Sequence, residues 1–399
     1  MRTVGVEEEL LLVRSGSGQA LSVAPQVLRR ADLAAQEAAE KDPKSGSPIA
    51  PEPPAAGDPA PAEHPGSTLG GELQRQQVET DTAPHESMAD LHEEILLWRA
   101  RADVAARRAG ARIAAIGTSP VSVEPRADRA DRYQQLIERF GLTAREQLSC
   151  GCHVHVQVDS DEEAVAVLDR IRVWLPALLA LSANSPYWQG TDSSYASFRS
   201  QVMDRWPSAG PTDVLGSAAA YHRLVDDMVE SGVLLDHGMI YFDARPSHRY
   251  PTLEIRVADV CQDPADAVLL AALCRGLVET AAREWQEGVP APAVPTPLLR
   301  LAMWQASRHG VGENLLDPIT SRPRPAADVL AALLAHVTPA LTEYGDLDLV
   351  AAGVARVLDV GNGADHQRRV MARTGSLGDV VAAVVRTTHS QESEARVAG

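Results

Sequence analysis

The chain has 399 residues, 54 acidic against 37 basic side chains, a net charge of −17 and four cysteines. That length allows two or three domains or one large mixed unit, and it excludes a small disulfide-stapled fold. The acidic balance and the lack of any basic run exclude a general nucleic-acid binder, because neutralising phosphates needs clustered Lys and Arg.

The opening VGVEEELLLV is short and apolar-rich, ends at the turn signal Arg14-Ser15-Gly16-Ser17-Gly18, and reads as a strand. Its apolar run is too short and too acidic for a signal peptide. No stretch reaches the ~18 consecutive apolar residues of a membrane span, so a cytoplasmic protein without membrane contacts is expected. Residues 23–40 read as a helix. Between Pro43 and Pro65 stand eight prolines with few apolar side chains, too little to offset the entropy of ordering. The segment at about 41–68 is therefore expected to be a flexible insertion within one catalytic domain spanning 1–399. GGELQRQQVETDT follows, then a helix from about Glu86 to Gly110 with Leu91, Ile95, Trp98, Ala102 and Ala105 on one stripe. ARIAAIGTSPV reads as a buried strand and CGCHVHVQV as an alternating one. A helix is expected from about Asp161 to Ala183, kinked at Pro176. Next come a polar, aromatic segment from Asn184 to Trp206 and a helix near 212–233. Two short strands around HGMIYFDARP and TLEIRVADV precede a mostly helical C-terminal part. Strands scattered among helices without βα alternation predict an α+β fold with an antiparallel sheet.

Side chains at i and i+2 of a strand share a face. Glu7 and Glu9 therefore stand together, with Val6, Glu8 and Leu10 opposite. Two adjacent carboxylates repel unless a cation lies between them; the plain alternative is an edge strand whose polar face meets water. The pattern recurs in His153 and His155, opposite Cys152, Val154 and Val156, and in Glu254 and Arg256, opposite Leu253, Ile255 and Val257. Three strands each carrying such a pair suggest one polar sheet face as an active-site floor, with helices behind. Glu72 and Glu79 lie seven apart, which puts them on opposite faces of an unbroken strand. Glu72 is therefore expected in the loop after Gly70-Gly71, a bulge being the alternative.

Zinc fits poorly, since adjacent Cys152 and His153 point to opposite faces and no CxxC or HxxxH spacing occurs. Cys150, Cys152, Cys261 and Cys274 read as free thiols in a reducing compartment. An oxygen-rich ligand set suits Mg²⁺ or Mn²⁺, ions that commonly arrive with a nucleotide's phosphates. No GxxxxGK[ST] or GxGxxG loop is present. A nucleotide would thus depend on metals and arginines, with Arg199, Arg205, Arg245 and Arg256 the candidates.

GVEEELLLV, ELQRQQVET, CGCHVHV, NSPYWQGTDSSYASFRS, DARPSHRYPTLEIR and GNGADHQR, in this order from Val4 to about Thr388, together resemble the type 2 glutamate–cysteine ligase family of carboxylate–amine ligases. The resemblance implies a glutamine synthetase-like fold: a curved antiparallel sheet backed by helices, with a metal-lined funnel in front. It implies Glu7, Glu9, Glu72, Glu79, His153 and Glu254 as metal ligands, Glu254 as a bridging one. Arg256 would face the transferring phosphate. Arg199, Arg205 and Arg245 would lie near ATP phosphates or a substrate carboxylate, with His155 a neighbour on the same face. The implied cofactors are ATP with Mg²⁺ or Mn²⁺, the partners an amino-acid carboxylate and an amine, and a homodimer is among the expectations. The implied reaction converts a carboxylate, glutamate's γ-carboxyl first, into an acyl phosphate that an amine such as cysteine attacks. Two other classes stay open from residues alone: a metal-dependent amide hydrolase on the same face, and a non-catalytic metabolite-binding member of the fold. GNGADHQR reads as a tight turn and helix cap, or as a helix N-terminus near an anion.

Overall fold

The computed structural model describes residues 1–41 and 68–389, so the proline-rich insertion lies almost wholly outside the described residues. Alternation in the opening segment yields β1 (Val4–Val13), which alternates buried and half-buried up to Leu10 and is then buried throughout. Helix α1 (Ala24–Lys41) follows. Strands β2 (Thr68–Gly71) and β3 (Gln77–Asp81) flank a turn that carries Glu72. Helix α2 (Met88–Arg108) starts at Ser87, whose hydroxyl accepts the Asp90 N–H. Its stripe buries Leu91, Ile95, Ala102 and Ala105 as expected, but Arg99 takes the central place anticipated for Trp98. The expected strand in ARIAAIGTSPV shortens to β4 (Arg112–Ala114). Residues without an assigned element in the sequence form α3 (Asp131–Phe140) and α4 (Leu142–Glu146).

Strand β5 (Gly151–Gln157) carries the two histidines. The helix expected over 161–183 is broken, not kinked: α5 (Asp161–Ile171) and α6 (Leu175–Ser182) are separate. Pro176 sits in the first turn of α6, where its missing N–H leaves no bond unmade. A small hairpin, β6 (Tyr187–Trp188) with β7 (Thr191–Asp192), precedes α7 (Phe198–Met203) and α8 (Ala218–Glu230). HGMIYFDARP gives a 3₁₀ turn at His237–Met239 and only a short β8 (Ala244–Pro246). The last long strand is β9 (Thr252–Asp259). Helices α9 (Pro264–Gln286) and α10 (Thr296–His309), a hairpin of β10 (Asn314–Leu316) and β11 (Pro323–Pro325), and α11 (Ala326–Tyr344), α12 (Leu347–Val360), α13 (Gly363–Thr374) and α14 (Leu377–Thr388) complete the order.

The main sheet runs β2-β3-β1-β5-β9-β8, with β4 paired to the end of β1, and every pair is antiparallel. The apolar sides of β1, β5 and β9 pack with α2, α5, α6 and α9. Helix α9 is buried round most of its circumference because α11 and α12 cover its outer side. The predicted mixed fold with an antiparallel sheet and helices behind one face is therefore what forms. No helix among the described residues is long and apolar enough to cross a membrane.

Candidate active site

Register brings the charged side chains together. Across β1 and β5, Glu7 faces His153; across β1 and β3, Glu9 faces Glu79; across β5 and β9, His155 faces Glu254, which also faces Arg245 of β8. Residues at even offsets from these share their face. Strand β9 carries one extra residue between the pairs Cys152–Ala258 and Val154–Ile255, a bulge that re-aims Arg256. Glu72 reaches the same place from the loop after β2, not from a strand.

Three overlapping groups result: Glu7, His155 and Glu254; Glu7, Glu79 and His153; Glu9, Glu72 and Glu79, each with ligand atoms within 4.8 Å of one another. Glu7 and Glu79 each belong to two groups. The six residues expected as metal ligands converge, and His155 joins them in a ligand position beyond its expected place as a neighbour. His153 Nδ1 lies 3.2 Å from Glu7 Oε2, and His155 Nε2 lies 2.9 Å from Glu7 Oε1. His153 Nε2 is buried without a hydrogen-bond partner, whereas His155 Nε2 is taken up by Glu7. One orphaned imidazole nitrogen and a second that faces Glu7, beside crowded carboxylate oxygens, form a donor set that fits divalent cations.

The electrostatics divide the cluster. Burial would raise the Glu7 carboxyl, but His155 and His153 outweigh it and hold it well below the usual range. Burial likewise opposes ionisation of Glu254, yet Arg256 and Arg245 keep it low. At the other end burial, then Glu9, pushes Glu72 up to about 8; burial, then Glu72, raises Glu79 well above the ordinary value. Carboxylates so crowded ionise together only with positive charge between them.

The arginines separate into two sets. Arg256 pairs with Glu254, and Arg245 Nε donates to Glu254 Oε2 at 2.7 Å. Arg199 is buried, donates to the carbonyls of Arg256 and Val257, and lies so close to Gly151 that a Cβ there would meet its Nη2 at 2.2 Å. Arg199 and Arg256 line a cavity of about 290 Å³. Arg205 does not line it: that residue turns outward to Glu146 at 2.7 Å, so the geometry does not bring it to the site.

Two further roles were not read from sequence. Glu8, pointing away from its neighbours, forms a two-point pair with Arg99 beneath the sheet. Asp243 lines the cavity one strand from Arg256; it stands two residues before Arg245 in DARP, the same i, i+2 signal that marks the other pairs. GNGADHQR resolves as a helix cap, with Asn362 and Asp365 making reciprocal bonds at the start of α13.

The sequence matches the description Glutamate-cysteine ligase family 2 over residues 3–384. The chain is 51% identical over 388 residues to a Streptomyces avermitilis protein provisionally named glutamate–cysteine ligase 2-1, covering 97% of this chain and 99% of that one. It is 50% identical over 392 residues to a Streptomyces coelicolor protein provisionally named glutamate–cysteine ligase 2, covering 98% and 100%. Among solved structures, a glutamate–cysteine ligase from Francisella tularensis in complex with AMP is similar with a TM-score of 0.64 at 14% identity, covering 98% of this chain and 89% of its own. A bifunctional glutathione synthetase from Pasteurella multocida gives a TM-score of 0.65 at 14% identity, covering 98% and 52%. At that identity the likeness is one of fold. With half of its residues shared along the full length of these relatives, and a family match that leaves out only its ends, the chain belongs to glutamate–cysteine ligase family 2.

Proposed function

We propose that this chain is an ATP-dependent carboxylate–amine ligase, with the γ-carboxylate of glutamate as the first donor to test and cysteine, the amine in its relatives' names, as one acceptor. The observation that carries the reading is the run of three ligand groups along one sheet face, ending at Arg256. A binding module needs no such set. A carboxylate does not condense with an amine at neutral pH, so activation must come first. The donor oxygen attacks the γ-phosphorus, the β–γ P–O bond breaks and ADP leaves; the amine nitrogen then attacks the acyl carbon and the C–O bond to phosphate breaks.

Glu7, Glu9, Glu72, Glu79, His153, His155 and Glu254 would hold Mg²⁺ or Mn²⁺. Such ions neutralise and polarise a triphosphate when bound. Arg256 would face the phosphoryl group in transfer, its orientation fixed by Glu254 and by the hydrogen bond from its N–H to the Asp243 carbonyl at 2.9 Å. Arg245 positions Glu254, and Arg199 backs Arg256 from the side of Gly151.

Purified protein with ATP, Mg²⁺ and a panel of amino acids and amines tests this, with ADP and phosphate measured for each combination. ADP release that needs both a carboxylate and an amine is expected. Glu254→Gln should lower it by at least about 10²-fold, the scale seen when one preorganised charge is removed. Cleavage of an amide without ATP would instead establish a hydrolase and overturn the ligase reading.

A further inference from the structure

The cavity beside Arg256 is lined by both charged and apolar side chains. Asp243 precedes β8, and its carbonyl accepts the Arg256 N–H, so the two residues are neighbours across the β8–β9 pair. Asp204, at the C-terminus of α7, also lines the cavity, as do Arg199 and Arg300. Asp243 Oδ2 is buried with no hydrogen-bond partner. Burial, then the charge of Asp204, pushes the Asp243 carboxyl up to about 7 against the pull of Arg300 and Arg199. A buried oxygen that has lost its water without gaining a partner is destabilising, and a cationic N–H donor would satisfy it.

The apolar lining comes from Met203, Phe242, Met303 and Trp304. Leu301 and Trp304 stand at its edge, 57% and 46% exposed although large and apolar. At the ~30 Å³ that a water occupies in the liquid, about 290 Å³ has room for roughly ten groups of that size. That is more than cysteine brings. Arg199, Arg256 and Arg300 line the cavity with Asp204 and Asp243, so its charge is mixed: an acceptor's ammonium group would give the unpartnered Asp243 Oδ2 an N–H donor, and an α-carboxylate would meet the guanidinium groups.

We propose that this cavity is the acceptor subsite, that Asp243 receives the acceptor's ammonium group, and that the Met, Phe and Trp wall selects a primary amine with a branched or aromatic apolar side chain over cysteine. The proposal rests on the ligase reading and names its second substrate class. The ammonium gives one proton to the Asp243 carboxylate, and the freed nitrogen attacks the acyl carbon. The C–O bond to phosphate breaks with its electron pair leaving on phosphate, and the amide nitrogen's second proton goes to that phosphate.

The test separates the acceptor from activation by using hydroxylamine, a nucleophile small enough to need no side-chain pocket, to trap the acyl phosphate as a hydroxamate. With ATP, Mg²⁺ and glutamate, kcat/KM for leucine, phenylalanine or phenethylamine should exceed that for cysteine and alanine at least tenfold. Asp243→Asn should lower kcat/KM for the preferred amine at least tenfold relative to hydroxylamine. Calorimetric titration of phenethylamine without ATP or metal should show Kd rising at least tenfold in Asp243→Asn and severalfold in Trp304→Ala, a change at a half-exposed helix position that leaves the core intact. A preference for cysteine, or amine-to-hydroxylamine ratios and Kd values unchanged in both variants, would overturn the subsite. Absence of hydroxamate from the wild type would overturn the ligase reading itself, and the acceptor role with it.

Discussion

Three consecutive glutamates in β1 should respond in opposite ways to neutralisation. Glu8 and Arg99 are 2% and 1% exposed and meet at two points, Nε to Oε2 at 2.8 Å and Nη2 to Oε1 at 2.6 Å. Arg99 gives its remaining N–H groups to the carbonyls of Cys261, Gln262 and Thr388. The pair therefore fastens β1 to the segment between β9 and α9 and to the end of α14. Removing one partner of a buried pair leaves an uncompensated charge and costs about 3–5 kcal/mol. With an unfolding entropy of about 2.1 cal/mol/K per residue, a chain of this length has about 0.8 kcal/mol/K, so Glu8→Ala should lower Tm by about 4–6 °C. Replacing both, as Glu8→Leu with Arg99→Met, should recover only part of this, because three carbonyls lose their donor. Glu9→Gln, on the opposite face, keeps an acceptor for the Gly151 N–H and should move Tm of the metal-free protein by less than about 1 °C, as for a surface change within about 0.5 kcal/mol. Differential scanning calorimetry at one pH and salt reads all three variants against the wild type. Glu8→Ala at or above the wild-type Tm would refute the argument that the middle glutamate is a fastening and not part of the polar face.

Saturating Mg²⁺ or Mn²⁺ should stabilise the protein: at 100-fold over Kd the gain is about 2.7 kcal/mol, or about 3 °C by the same entropy. Glu79→Gln, in two ligand groups, should remove more of that shift in a thermal scan than Glu72→Gln, which is in one. Burial opposes ionisation of Asp103, but hydrogen bonds with His389 and Arg112 outweigh it, so its folded pKa lies below the ordinary value. Its contribution is then complete above about pH 4 and is lost as the pH falls toward the folded value; Asp103→Asn should flatten the fall of Tm between about pH 4 and pH 2. Gly151→Ala should displace Arg199 and lower ligase turnover more than tenfold, measured as ADP release, because the new Cβ would stand 2.2 Å from Nη2. Arg205→Ala breaks a surface pair with Glu146 and a long hydrogen bond to the Val202 carbonyl, and should change stability by no more than about 1 kcal/mol with turnover retained; a loss like that of the Gly151 variant would return Arg205 to the site.

What could be read from the residues follows from periodicity. The pairs Glu7/Glu9, His153/His155 and Glu254/Arg256 are two apart, and a strand has a period of two, so their common face needed no tertiary knowledge. Which pairs would meet required strand order, and the segments that set it are separated by long helices. The bulge in β9 was hidden because no glycine or proline marks it. Arg99 was hidden for another reason: it occupies a helix stripe that composition assigns to an apolar side chain, and only its partner on β1 makes its burial tolerable. Pro176 misled because one residue admits two outcomes, a kink within a helix or the first turn of a new one, and three residues of non-helical chain decide between them.

Asp243 shows where the pattern was present but its weight was not. It and Arg245 repeat the i, i+2 spacing, yet at the start of β8 the two side chains part company: Arg245 engages Glu254, while Asp243, just before the strand, lines a cavity to which α7, β9 and α10 also contribute. Alternation assigns a residue to a face; it does not say whether that face meets a neighbouring strand, a cation or a space that another molecule can enter. In β1 the same rule separates the two demands on the acidic sheet, since Glu8 meets Arg99 within the fold, whereas Glu7 meets His153 and His155 and Glu9 is grouped with Glu72 and Glu79, where the proposed cations would bind. The excess of acid in the composition is thus partly matched by arginine within the fold and partly gathered beside two histidines on one side of the sheet, the part that the proposed cations would complete.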